Sequence, residues 1–138
     1  MHPCEACGST ALVVRSIPAP CREILANDPA QIAFCEDCLT LRPAPAASVD
    51  PDWDPSTTSP AFPADPEAAV GVVLLVTLLE SLALNRAAIG EIVRYLETAG
   101  VDPLLVLDRL AVTPGTTPPI ALADRRDQLA QIMESADR

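Results

Sequence analysis

Cys4-Glu5-Ala6-Cys7-Gly8, answered by Cys35-Glu36-Asp37-Cys38, decides how this chain is held together. Two C-x2-C pairs separated by residues 8–34 bring four thiolates to one tetrahedral zinc, so Cys4, Cys7, Cys35 and Cys38 are the expected metal ligands. Four Cys ligands leave no open position for water or substrate, which makes the expected Zn2+ structural, one per chain. A redox dithiol competes where a single C-x-x-C stands alone. Here the motif is doubled and lacks a thioredoxin-like strand and helix around it, so metal is preferred. Gly8 follows the first pair and permits a tight turn whose amides aim at sulfur. Leu39 holds the matching position after the second pair and lacks that freedom.

Outward from the pairs, the order of elements is that of a small β zinc ribbon over residues 1–42. Residues 10–17 (TALVVRSI) are rich in β-branched side chains and read as a strand. Pro18 and Pro20 stop it, residues 21–26 have room for one helical turn, and Asn27-Asp28-Pro29 breaks the chain again. Residues 31–34 lead extended into the second pair and residues 39–42 lead out. Residues 43–66 hold Pro43, Pro45, Pro51, Pro55, Pro60, Pro63 and Pro66 and read as a proline-rich linker, unable to form a sheet interior or a long helix. Trp53 and Phe62 are its aromatics. Docking onto a domain is their expected role, ahead of service as recognition anchors.

Residues 67–138 read as a helical domain. Asp65-Pro66-Glu67 gives a cap, a first-turn proline and an acid at the positive helix end. The helix that follows, to about residue 84, is apolar on nearly every side and must be wrapped by other helices or another subunit. Asn85 is placed to end it and cap the next. Residues 86–99 are amphipathic, with Ile89, Ile92, Val93 and Leu96 on one stripe; Gly90 suggests a close helix–helix approach, and Gly100 a stop. Asp102-Pro103 opens a short helix to about residue 112, and Asp124 is the expected cap of a last one. The fold class is therefore α+β: a small N-terminal β zinc ribbon followed by a C-terminal helical bundle of about four helices.

The charge is unusual. All nine basic residues are Arg, and nineteen acids bring the formal charge to −10. Such a balance argues against a phosphate-tracking surface, since no basic cluster exceeds Arg125-Arg126. It fits adaptation to high salt, where screening shortens to about 3 Å. The residues 68–79 form the longest uncharged apolar run, short of the roughly 20 needed to span a bilayer. No secretory signal is expected at the N-terminus, and paired Cys held as metal ligands suit a cytoplasmic protein.

Catalytic constellations are missing from the sequence. Pro3-Cys4-Glu5-Ala6-Cys7 matches half of a deaminase signature, but the H-x-E half has no room upstream of His2, the one histidine. Asp50, Asp52 and Asp54 alternate like a calcium loop without its Gly or bidentate Glu, and read as a solvated linker. Residues 86–112 can be read as helix–turn–helix, yet the would-be reading helix carries five large apolar residues and Arg109 as its one base, which marks a core helix. Cys21, the fifth cysteine, reads as a buried small hydrophobe.

The N-terminal third resembles the small zinc-ribbon proteins with C-P-x-C-G knuckles that haloarchaea encode. Cys4, Cys7, Gly8, Cys35 and Cys38 match; Glu5, Glu36 and Leu39 depart from the pattern. The whole chain resembles an uncharacterised haloarchaeal family that joins such a ribbon to a helical tail, through residues 61–65 (AFPAD), 81–86 (SLALNR) and 101–110 (VDPLLVLDRL). That resemblance implies a fold and a host, and no activity. The expectation is a non-enzymatic zinc-binding protein that mediates protein–protein contact or self-associates through its helical domain. The alternative is a nucleic-acid-associated accessory factor, which requires Arg15, Arg22 and Arg42 to converge on one ribbon face.

Overall fold

The computed structural model describes residues 3–24, 30–44 and 47–136. His2, the break at residues 27–29 and the last two residues of the helical turn expected at residues 21–26 lie outside them, and a 3-10 turn spans Ala19–Cys21.

Three short strands, β1 (Leu12–Ser16), β2 (Gln31–Cys35) and β3 (Leu41–Pro43), form an antiparallel sheet in the order β1-β2-β3. Val13 faces Phe34, Arg15 faces Ile32, and Phe34 faces Leu41 across the ladders. Alternation therefore puts Val13, Ile32, Phe34 and Leu41 on one face, turned to the core, and Val14, Ala33 and Arg42 on the other. The outer edge of β1 is closed by the segment read as linker. The Asp50 amide donates to the Val14 carbonyl at 2.9 Å, and the Asp50 carboxylate accepts from the Val14 amide at 2.8 Å.

That segment is packed through its aromatics, while Asp50, Asp52 and Asp54 stay exposed as expected. Trp53, Ala61 and Phe62 are buried, and Trp53 meets Phe34 edge to face with ring centroids 5.1 Å apart. A one-turn helix, α1 (Pro55–Thr58), opens on Asp54, whose carboxylate accepts from the Ser56 amide. The aromatics thus dock, as expected, and sheet, proline-rich segment and helices share one hydrophobic core.

Helix α2 (Pro66–Leu79) runs through that core, with eleven buried positions around its whole circumference. The wrapping it requires comes from its own chain: α3 (Arg86–Thr98) lies along it, and sheet and proline-rich residues join the same cluster. It stops short of the expected residue 84, because Asn85 folds its side chain back and donates to the Leu78 carbonyl at 3.0 Å. Asn85 consequently makes no side-chain cap on α3, contrary to expectation. Helix α3 closes as the sequence indicates. Gly100 takes φ +82°, its amide donates to the Glu97 carbonyl and that of Val101 to Leu96, which is a Schellman stop.

The expected close approach at Gly90 is corrected. A Cβ there meets nothing within 4 Å, whereas one at Gly71 would sit 3.0 Å from Tyr95 Cε2 and 3.1 Å from Leu96 Cδ2. Helix α4 (Pro103–Val112) is capped by Asp102, which accepts from the Leu104 and Leu105 amides. It packs on α5 (Leu122–Ala136), and Asp108 pairs with Arg126 at 2.8 Å between them. Asp124 falls inside the first turn of α5 rather than at its cap; the Ala121 carbonyl takes the first helical hydrogen bond, from Arg125.

Candidate metal centre

Each cysteine pair sits on a tight knuckle. In the first, the Gly8 amide donates to the Cys4 carbonyl at 2.8 Å, and in the second the Leu39 amide donates to Cys35 at 2.8 Å. The two turns have the same left-handed final residue, Gly8 at φ +78° and Leu39 at φ +61°. Leu39 was expected to lack the freedom for this. The backbone strain of about 1–2 kcal/mol is offset by complete burial of its side chain, 1% exposed.

The knuckles face each other. All four Sγ atoms lie within 4.8 Å of one another, with Cys4 to Cys38 at 3.6 Å and Cys7 to Cys35 at 3.5 Å. A tetrahedral cation with metal–sulfur bonds of about 2.3 Å needs sulfurs about 3.8 Å apart, so the cluster has the size of such a site. All four are free thiols. Three of them are buried, while Cys7 is exposed.

Amides supply the second requirement, stabilisation of negative sulfur. Burial raises the Cys4 thiol, but the Cys7 and Ala6 amides, with the Cys38 and Cys7 thiols, bring it down to about 7. At Cys35 burial prevails and pushes the thiol up to about 12, although the Cys38 and Asp37 amides act against it. Cys7 is likewise raised, so of Cys4, Cys7 and Cys35 it is Cys4 that gives up its proton first. The Cys38 thiol donates to Thr40 Oγ1 at 3.2 Å, a hydroxyl that would donate in return to a metal-bound thiolate. The donor set and its amides fit a soft divalent cation bound by four thiolates.

The second knuckle is tied into the helical half by residues that sequence reasoning did not single out. The Thr58 hydroxyl donates to the Glu36 carboxylate at 2.6 Å and accepts from Trp53 Nε1 at 3.0 Å. Buried Thr116 donates to the Thr58 carbonyl at 3.2 Å, and the Thr117 amide donates to the Asp37 carbonyl at 2.7 Å. Threonines in proline-rich segments carry no periodic signal, and only folding brings residues 58 and 116 to residue 36.

Other named residues stand apart. Cys21 is fully buried in the main core and outside the thiol cluster. Arg15 lies on the core face of the sheet register and donates to the Asp50 and Pro51 carbonyls, whereas Arg42 belongs to the opposite face. The two do not converge. Among the described residues no helix is long and apolar enough to cross a membrane.

An antiparallel three-stranded sheet, a four-helix second half and a four-cysteine cluster define an α+β protein with a candidate thiolate metal site. Residues 3–133 match the family described as "Family of unknown function (DUF6276)", and the chain belongs to that family. No curated protein and no solved structure matches it.

Proposed function

We propose that this chain is a non-enzymatic, cytoplasmic protein that holds one structural zinc and works through contact with another protein. The closed four-thiol cluster carries the reading. Zinc is preferred because four thiolates in a tetrahedral array suit a borderline-soft d10 cation, and a site filled by Cys4, Cys7, Cys35 and Cys38 offers no position for substrate. Free thiols suit a reducing compartment. The acid excess of a Lys-free chain at −10 supports a salt-adapted, haloarchaeal host.

The case for protein contact rests on the surface of the helical half. Burial of α2 within its own chain removes the argument that α2 itself needs a partner. Leu105 and Val112, two turns apart on α4, remain 44% and 82% exposed and give one apolar stripe. A nucleic-acid role is not favoured, because Arg15 and Arg42 are divided between the two sheet faces. Sedimentation and affinity capture in high salt test the reading, comparing the wild type with Leu105→Ser/Val112→Ser. Association that the double variant loses supports contact through α4. A strictly monomeric wild type that captures no protein contradicts it, and salt-sensitive binding of nucleic acid favours the accessory-factor alternative.

A further inference from the structure

The two knuckles have the same turn but not the same support. The second is built into the molecule. Cys35 ends β2 and is fully buried, Leu39 is a core residue, and Glu36 and Asp37 are held by Thr58 and Thr117. Cys35 and Cys38 therefore keep their positions through contacts that involve no metal.

The first knuckle is different. Among the described residues, its backbone hydrogen bonds close on themselves, Cys4 to Ser9 and Gly8 to Cys4. Among the described residues, Cys4 packs against Cys35, Cys38 and Leu12 in a small cluster separate from the main core. The next backbone tie to the second knuckle is at Ala11, whose carbonyl accepts from the Glu36 amide at 2.8 Å, just before β1. Beneath the knuckle, a cavity of about 80 Å³ is bounded by Cys4, Glu5, Leu12, Ala33, Thr40 and Arg42. The knuckle thus covers part of the sheet face opposite the core.

We propose that the site is a pre-formed dithiol closed by a metal-fastened strap, a view that rests on the four thiols holding a metal. Cys35 and Cys38 are the standing half. Residues 3–10 are the strap, which binds by swinging about Ala11 to bring Cys4 and Cys7 to a cation already on the dithiol. Exposed Cys7 is the outermost ligand and the first to be released. Loss of metal frees the strap and uncovers Leu12 and Ala33, while the helical half stays folded.

The test is amide hydrogen exchange on the full chain in reductant, zinc-loaded and after chelation, with metal content measured on the same samples. Chelation is expected to speed exchange in residues 4–10 by about tenfold or more and to leave residues 36–39, the Thr117 amide and α2 within about twofold. Cys4→Ser/Cys7→Ser is expected to reproduce the chelated pattern and to keep weaker zinc binding on Cys35 and Cys38. Loosening of residues 36–39 and Thr117 together with the strap would overturn the proposal, since the metal would then hold both knuckles equally. So would an unchanged strap in a sample shown to have lost its metal. A chain that takes up no zinc in either form overturns the metal reading as well, and the metal analysis separates that result from the others.

Discussion

Gly8 and Leu39 end two copies of one turn with opposite chemistry. A Cβ at Gly8 meets nothing within 4 Å, so Gly8→Ala carries only the backbone penalty of the left-handed conformation. It should lower the stability of the metal-loaded protein by about 1–2 kcal/mol in denaturant unfolding. Leu39→Gly relieves the same strain yet empties a fully buried site, and loss of a buried Leu costs about 2–5 kcal/mol. The net expectation is destabilisation, and a more stable Leu39→Gly protein would show that the turn, not burial, dominates. Gly8 and the four Cys were legible in the sequence because their spacing states a local geometry. The conformation of Leu39 was not, because it is decided by a core assembled from distant residues. Asn85 is similar: its side chain suits either helix end, and its bond to the Leu78 carbonyl decided between them.

At the scale of elements, the helices were read well where a cap and a stripe coincide. Asp65, Asp102 and Gly100 act as their residue types require, and α3 starts at the expected residue and ends within one of it. Periodicity failed on α2, since a helix apolar all round has no preferred face and conceals which position a neighbour approaches. That is why Gly90 drew attention and Gly71 did not. Two substitutions separate the cases. Gly90→Ala on the exposed face of α3 should stabilise by roughly 0.5–1 kcal/mol through helix propensity. Gly71→Ala must push Tyr95 and Leu96 aside and should cost about 1–3 kcal/mol, read from unfolding midpoints.

In the whole molecule, composition divided the chain into ribbon, linker and helices, but packing joins them. Among the described residues the proline pattern correctly excluded a long helix, but much of the segment is turns and the one-turn α1 rather than extended chain. It could not report that Trp53 reaches Phe34 or that Asp50 closes β1, because these contacts pair residues far apart in sequence. The shared core also governs alkaline behaviour. Burial, followed by the nearby charge of Glu91, raises Cys21 from 9.0 to about 11. Burial, with Glu67, Cys21 and Asp65, raises Tyr95 from 10.0 to about 12. Both groups lose a proton more readily when unfolded. Their contribution to stability is complete below pH 9 and falls as pH rises through about 11 to about 12. Thermal unfolding across that range should show the decline, with a later onset in Cys21→Ala. In the native protein at neutral pH, Cys21 should also resist alkylation.

The central claim is that Cys4, Cys7, Cys35 and Cys38 hold one zinc as a structural element. Native mass spectrometry of the full chain from volatile salt, before and after chelation, tests it most directly. The account predicts one zinc per chain, removed by chelator, with the metal-free mass matching five reduced cysteines. A chain that carries no metal, or whose mass shows a disulfide among these four residues instead, would contradict it and make thiol redox chemistry the better reading of the site.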